Sequence, residues 1–198
     1  MQAIFSTAYF PPIQYFQQIN KTETIYIEKH EHYIKQSYRN RCNVFGANGI
    51  LSLSIPVIHI SDKEIITDKK ISYTENWQQQ HWRTIESAYR NSPYFIYYAD
   101  ALKPFYQKKY TFLFDYNMEL LQFLLNSFKI KVKLNFTETF DKSILADDFR
   151  YFIHPKNKIQ ETNFKRYSQL FSDKHNFQPN LSGIDLLFNA GPHAKDFL

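Results

Sequence analysis

Between His30 and Arg41 the chain strings together His30, His32, Tyr33, Lys35, Gln36, Ser37, Tyr38, Arg39, Asn40 and Arg41, flanked by two apolar stretches that read as strands. Side chains of these types bind anions and move protons. An arginine presents a planar fork of N–H donors matched to phosphate or carboxylate, and a lysine presents a point charge. If residues 35–41 are extended, Lys35, Ser37, Arg39 and Arg41 project to one face and Gln36, Tyr38 and Asn40 to the other, so three cations share a surface. That surface suits a diphosphate or a carboxylate. It suits equally an edge strand protected by charge against aggregation. The candidate ligand-binding set is Tyr9, Tyr33, Lys35, Gln36, Arg39, Asn40 and Arg41.

Histidine titrates near neutral pH, which makes His32 and His81 the candidate proton carriers. His30 and His32 have no third ligand within sequence reach, so no metal site is assigned. His81 falls among Trp77, Trp82 and Arg83, a setting that suits a sugar or base ring and also a packed helix face. Cys42 follows Arg41, which would lower its thiol pKa if exposed; a small residue entering a strand is otherwise buried and inert. No Ser, His, Asp order is assigned as a triad, because geometry defines that arrangement.

These residues need elements to hold them. Ala3 to Phe5 reads as a strand, and the loop from Ser6 ends at Pro11-Pro12, where Pro12 suits the first turn of a helix. Ile13, Phe16 and Ile19 recur at helical spacing until Asn20 and Lys21, and Thr24 to Glu28 is a second strand. Strand, helix, strand is a parallel unit with a right-handed crossover. Both strands then point their carboxyl ends to one edge, where open α/β sheets take ligands, so the Ser6 to Pro12 loop and the Glu28 to His32 turn should meet there.

Further on, Arg41 to Phe45 and Ile50 to Val57 flank Gly46-Ala47-Asn48-Gly49, a hairpin signal. Trp77 to Tyr89 is a helix with Trp77, His81, Ile85 and Ala88 or Tyr89 on one face. Phe95 to Phe105 and Asn117 to Phe128 are helical, and Ile130, Val132, Leu134 and Phe136 alternate with polar residues as in a half-buried strand. Asp141, Asp147, Asp148 and Arg150 read as solvated loop charges. Ser182 and Asp185 approximate a capping box for a last helix, which Gly191-Pro192 stops. The expected fold is α/β: a strand-helix-strand amino-terminal unit with a mixed sheet, a β-hairpin and flanking helices, in one domain over residues 1–198.

Composition narrows the partners. With 198 residues, 43% hydrophobic and 18% aromatic, the chain carries far more apolar mass than a disordered one. Its one cysteine excludes an internal disulfide and a CxxC zinc site, and the cytoplasm is the expected location. The net charge of +5 comes from 24 Lys and Arg spread along the chain without a basic stripe, so nucleic acid is not an expected partner. No signal-peptide h-region or membrane-length apolar run is present. The 4 glycines make neither a GxGxxG nor a P-loop, so side chains or helix termini must hold any phosphate.

The blocks Tyr9-Phe10-Pro11-Pro12-Ile13-Gln14-Tyr15-Phe16 and His32-Tyr33-Ile34-Lys35-Gln36-Ser37-Tyr38-Arg39-Asn40-Arg41-Cys42 resemble the WbqC-like family. Trp77 with His81-Trp82, Ala88-Tyr89, Ser92-Pro93-Tyr94-Phe95, Leu181 to Leu187 and Gly191-Pro192 follow in the same order. The resemblance implies an association with O-antigen, lipopolysaccharide and other surface-polysaccharide biosynthesis, with a suggested role in transferring glycine or another small acyl group to a sugar. Other branches carry a His-Gln pair before the first helix where this chain has Phe5-Ser6, which argues against a catalytic histidine there. No catalytic residue is carried over. The expected function is a transferase acting on an anionic nucleotide-linked or lipid-linked sugar. The alternatives are a nucleotide-activating protein and a non-catalytic nucleotide-sugar-binding or scaffold protein of the same pathway. No cofactor is identified, and the oligomeric state stays open.

Overall fold

A computed structural model of the chain describes residues 1–61, 63–141 and 146–198. Strand β1 (Gln2–Ser6), helix α1 (Ile13–Ile19) and strand β2 (Thr24–Glu28) form the expected parallel unit, paired in register from Gln2↔Thr24 to Ser6↔Glu28. Pro12 caps α1 with an extended backbone, and Ile13, Phe16 and Ile19 face the core. Strands β3 (Arg41–Gly46) and β4 (Gly49–Ser54) make the antiparallel hairpin. Gly46 faces Gly49 across its turn, and Gly49 has φ of 105°, a conformation that glycine adopts without strain.

Helix α2 (Trp77–Tyr89) buries Trp77, His81, Ile85, Ala88 and Tyr89, the face that its spacing predicts. Helix α3 (Phe95–Leu102) passes into a 3-10 turn over Lys103–Tyr106, where Pro104 supplies no N–H for a further α-helical bond. Then come α4 (Leu113–Ser127), β5 (Lys133–Phe136), β6 (Asp147–Asp148), α5 (Ser172–His175) and α6 (Gly183–Ala190). Ser182 caps α6 by accepting from the Ile184 N–H. The other half of the expected capping box is absent, because the Asp185 carboxylate instead accepts from the Tyr167 hydroxyl at 2.5 Å.

The parallel and antiparallel pairings fall in two separate sheets. The larger has the order β5-β2-β1-β6, with every pairing parallel. From β1 the chain builds outward through β2 to β5 and then returns to β1's other side with β6. The strand order therefore reverses at β1, and such a reversal opens a crevice at the carboxyl edge of a parallel sheet. Ala3, Ile4 and Phe5 are fully buried, as befits a central parallel strand covered on both faces. Helices α1 and α6 pack at Gly183, where a Cβ would come within 2.7 Å of the Phe16 ring. Among the described residues no helix is long and apolar enough to cross a membrane.

Three expectations change. The strand predicted from Ile130 begins at Lys133, because Lys129 turns with φ of 55° and the Ile130 N–H bonds back to the Leu125 carbonyl at 2.9 Å, which closes α4. Phe136 is exposed on this edge strand. Helix α4 starts at Leu113 rather than Asn117, which lies on the buried face and donates to the Arg39 carbonyl at 2.7 Å. Residues 35–40 are not extended: they form a run of turns with Gln36 at φ of 56°, and only Arg41 enters a strand, so Lys35, Arg39 and Arg41 do not alternate onto one face. The segment is held by tertiary bonds, among them the Tyr9 N–H to the Tyr38 carbonyl at 2.8 Å.

Candidate functional site

The carboxyl ends of the parallel strands carry polar side chains, and they meet. Ser6 ends β1, Glu28 ends β2, Thr137 follows β5 and Arg150 follows β6. Arg150 donates through Nη1 to Glu28 Oε2 at 2.8 Å and through Nη2 to Asp148 Oδ2 at 2.7 Å, and the Thr137 hydroxyl donates to Glu28 Oε1 at 2.8 Å. Arg39 donates through Nε to Glu31 Oε1 at 2.9 Å, and through Nη2 to Glu31 Oε2 at 2.5 Å and Ser6 Oγ at 2.7 Å. The Ser6 hydroxyl proton is in reach of Glu31 Oε2 at 3.0 Å, so the Ser6 loop and the Glu28 to His32 turn meet as expected.

Burial raises the Glu31 pKa, opposed by Arg39 and the Ser6 hydroxyl. Burial acts upward on Asp148 too, but hydrogen bonds from Arg150 outweigh it and hold that carboxyl below its ordinary value. Arg150, expected to be a solvated loop charge, is 2% exposed. The correction has a plain cause: a guanidinium stays buried when carboxylates on both sides satisfy its donors.

At the strand-order reversal lies a small crevice lined by Ser6, Thr7, Tyr38, Arg39, Phe149 and Ile153 among others. Its free volume is about 10 Å³, the room of about one water molecule. Two groups there have unused bonding capacity. Among the described residues neither the buried Thr7 hydroxyl nor Arg39 Nη1 has a partner. His154 lies within electrostatic reach of Arg39; burial lowers its pKa first, and Arg39 and Lys156 lower it further. Its Nδ1 accepts the Lys156 N–H at 3.2 Å, which leaves Nε2 as a donor. The loop entering the crevice is strained at Phe10, a fully buried bulky residue with φ of 40°, a kind of strain that marks functional sites.

The sequence-nominated residues divide among three places. Arg39 reaches the crevice. Tyr33 is half-buried with both Arg41 and Arg39 acting on it: burial raises its phenol pKa and the two cations oppose that. Arg41 starts β3 with its Nε buried and without a partner among the described residues. Lys35 and Gln36 are exposed, and Asn40 is buried with its amide donating to the Ile55 carbonyl at 2.8 Å. His32 is exposed and bridges to Ile65. Tyr9 and His81 meet in the core, where the Tyr9 hydroxyl shares hydrogen bonds with His81 Nδ1 at 2.9 Å and the Tyr106 hydroxyl at 2.8 Å. Burial lowers the His81 pKa to about 4. Cys42 is buried, and burial pushes its thiol pKa up.

A buried pair braces the nominated segment. Lys69 donates to Glu64 Oε2 at 2.6 Å with its ammonium 4.9 Å from the Tyr33 ring centroid, and the Glu64 carbonyl accepts the Tyr33 N–H at 2.9 Å. Sequence reasoning gave no role to Ser6, Thr7, Glu28, Glu31, Lys69, Arg150 or His154. Glu28 carried a readable signal: an acid closing an otherwise apolar strand, Thr24 to Ile27, must be paired if the strand is central.

The model of the WbqC-like protein family matches residues 7–154, a span that holds the Arg39 to Glu31 pair, the Arg150 clamp and His154. The uncharacterized protein Rv1507c of Mycobacterium tuberculosis is 25% identical over 233 aligned positions, covering 99% of this chain and 96% of that protein. No solved structure matches the chain.

Proposed function

Because the chain belongs to the WbqC-like protein family, we propose that it acts in surface-polysaccharide assembly as a transferase on an anionic activated sugar, moving a glycyl or similar small acyl group. The observation that carries this reading is Arg39. Glu31 and Ser6 fix one side of its guanidinium, while Nη1 is left for a phosphate oxygen at the crevice where a parallel sheet takes ligands. The Thr7 hydroxyl adds a neutral donor in the crevice lining, and Arg41 with Tyr33 extends the surface. His32, exposed in the segment that follows β2, is the residue assigned to handle the proton; His81, buried and neutral near pH 7, is not. The crevice holds about 10 Å³, so binding includes an outward swing of its lining side chains Tyr38 and Ile153.

A second reading is a non-catalytic nucleotide-sugar-binding protein of the same pathway. It is favoured by the occupation of Glu28 and Glu31, whose carboxylates are both taken up by arginines rather than turned toward a substrate proton. A thermal-shift panel of nucleotide sugars, ATP and acyl donors, followed by turnover assays, separates the two. A ligand at 100 times its Kd stabilises by about 2.7 kcal/mol. Stabilisation by nucleotide sugars with turnover supports the transferase, and stabilisation without turnover supports the binding protein. No shift with any nucleotide sugar sinks both.

A further inference from the structure

A groove of about 640 Å³ runs between α1 and the segment from Phe152 to Lys165. Its walls carry the side-chain amides of Gln14, Gln17, Gln18, Gln160 and Asn163, three lysines and, among the described residues, no Asp or Glu side chain. The amides of Gln18, Gln160 and Asn163 have no hydrogen-bond partner among the described residues. Gln17, mostly buried, is held in place by donating from Nε2 to the Asn163 carbonyl at 3.0 Å. At the groove wall Phe152 is 56% exposed, although its ring is not loose. It packs edge-on against Phe149, with centroids 6.0 Å apart at 63°, and Phe149 stacks on the buried Phe5 ring at 5.1 Å and 23°. The core thus fixes an aromatic face in solvent, beside amides with unused bonding capacity.

We infer that this groove binds an acidic oligosaccharide. A side-chain amide both donates and accepts, as does each sugar hydroxyl, so a row of amides matches a row of hydroxyls. The negative face of an aromatic ring attracts the C–H edge of a pyranose. Lys21 and Lys158 supply charge for carboxylate or phosphate substituents, and among the described residues no Asp or Glu side chain lines the walls to repel them. A neutral glycan leaves these cations unused. A nucleic acid is the weaker fit, because the groove has no arginine and its amides outnumber its lysines.

Phe149 and Ile153 line the crevice and Phe152 lines the groove, so one short segment is the wall between them. The bound oligosaccharide lies beside the activated sugar, the acyl acceptor of the proposed transfer, and the groove's role is to position the glycan next to that reaction. That role rests on the transferase reading; the binding does not.

The test is calorimetric titration of the full chain with tetragalacturonate, maltotetraose and octathymidylate. Tetragalacturonate is expected to bind about tenfold more tightly than either of the others. Phe152→Ala, at an exposed position, and Gln18→Ala, at a half-buried one, should each weaken it about fivefold with unchanged circular dichroism, and Lys158→Ala should weaken it in a salt-dependent way. Tetragalacturonate that fails to bind, binds no better than the controls, or loses affinity in the lysine variant alone overturns the proposal. UDP-N-acetylglucosamine is titrated separately. Glycan binding without nucleotide-sugar binding leaves the groove standing and removes the transferase reading, and the converse removes the groove alone.

Discussion

Arg39 grips both oxygens of Glu31, through Nε at 2.9 Å and Nη2 at 2.5 Å, with the two side chains 3% and 1% exposed. A buried ion pair recovers its desolvation cost only when its geometry is good and its remaining bonds are made. Here Ser6 takes part of the remainder, and Nη1 has no partner among the described residues in a side chain that lines the crevice. The pair fixes the direction of one guanidinium more than it adds stability. Removing one partner leaves a buried charge uncompensated, so Glu31→Gln should cost about 3–5 kcal/mol in urea unfolding. A loss well under ~1 kcal/mol would show that Arg39 finds another partner or reaches water.

The Arg150 clamp makes a different demand. Its guanidinium joins Glu28, Asp148 and the Asp141 carbonyl in a planar fan that an ammonium cannot copy. Arg150→Met should destabilise by about 3 kcal/mol or more, and Arg150→Lys should recover only part of that. Full recovery in the lysine variant, read from denaturant midpoints, would mean that charge alone holds the carboxyl edge together.

His81 sets a pH dependence. Its folded pKa of about 4 lies below the ordinary 6.5, so the folded state prefers the neutral ring. Its contribution to stability is therefore full above about pH 6.5 and is lost as pH falls through about 4. Ring-nitrogen NMR should show His81 neutral at pH 6, with a tautomer fixed by the Tyr9 hydroxyl. Half-protonation near pH 6.5 would contradict this burial and reopen His81 as a proton carrier.

Cys42 is 1% exposed and has a raised thiol pKa, so its reactive thiolate is scarce and shielded. A thiol reagent should label the native protein at the rate of opening, and rapidly once urea unfolds it. Fast native labelling would place Cys42 at an accessible surface.

The sequence made some of this architecture plain and hid the rest for physical reasons. Pro11-Pro12 and the spacing of Ile13, Phe16 and Ile19 are local signals, so the first parallel unit and its carboxyl edge were readable. The same holds for the hairpin at Gly46 to Gly49 and for α2. The alternation of Lys35, Ser37, Arg39 and Arg41 was misleading, because charges spaced by two mark an edge strand and a turn-rich loop alike. What decides between them is Glu31 and Ser6, which draw Arg39 inward. Arg150 looked like a surface charge because its partner Glu28 lies 122 residues away. Sequence spacing carries no trace of such a contact.

The central claim is that an anionic sugar binds at Arg39, where the strand order reverses. The most direct test is a titration of the ¹⁵N-labelled chain with UDP-N-acetylglucosamine, following the arginine side-chain N–H signals. Arg39 should move most, followed by Arg41, and Arg150 should hold still because Glu28, Asp148 and the Asp141 carbonyl grip its guanidinium. Saturable shifts confined to other arginines, or none at Arg39 while the ligand binds, would contradict the account.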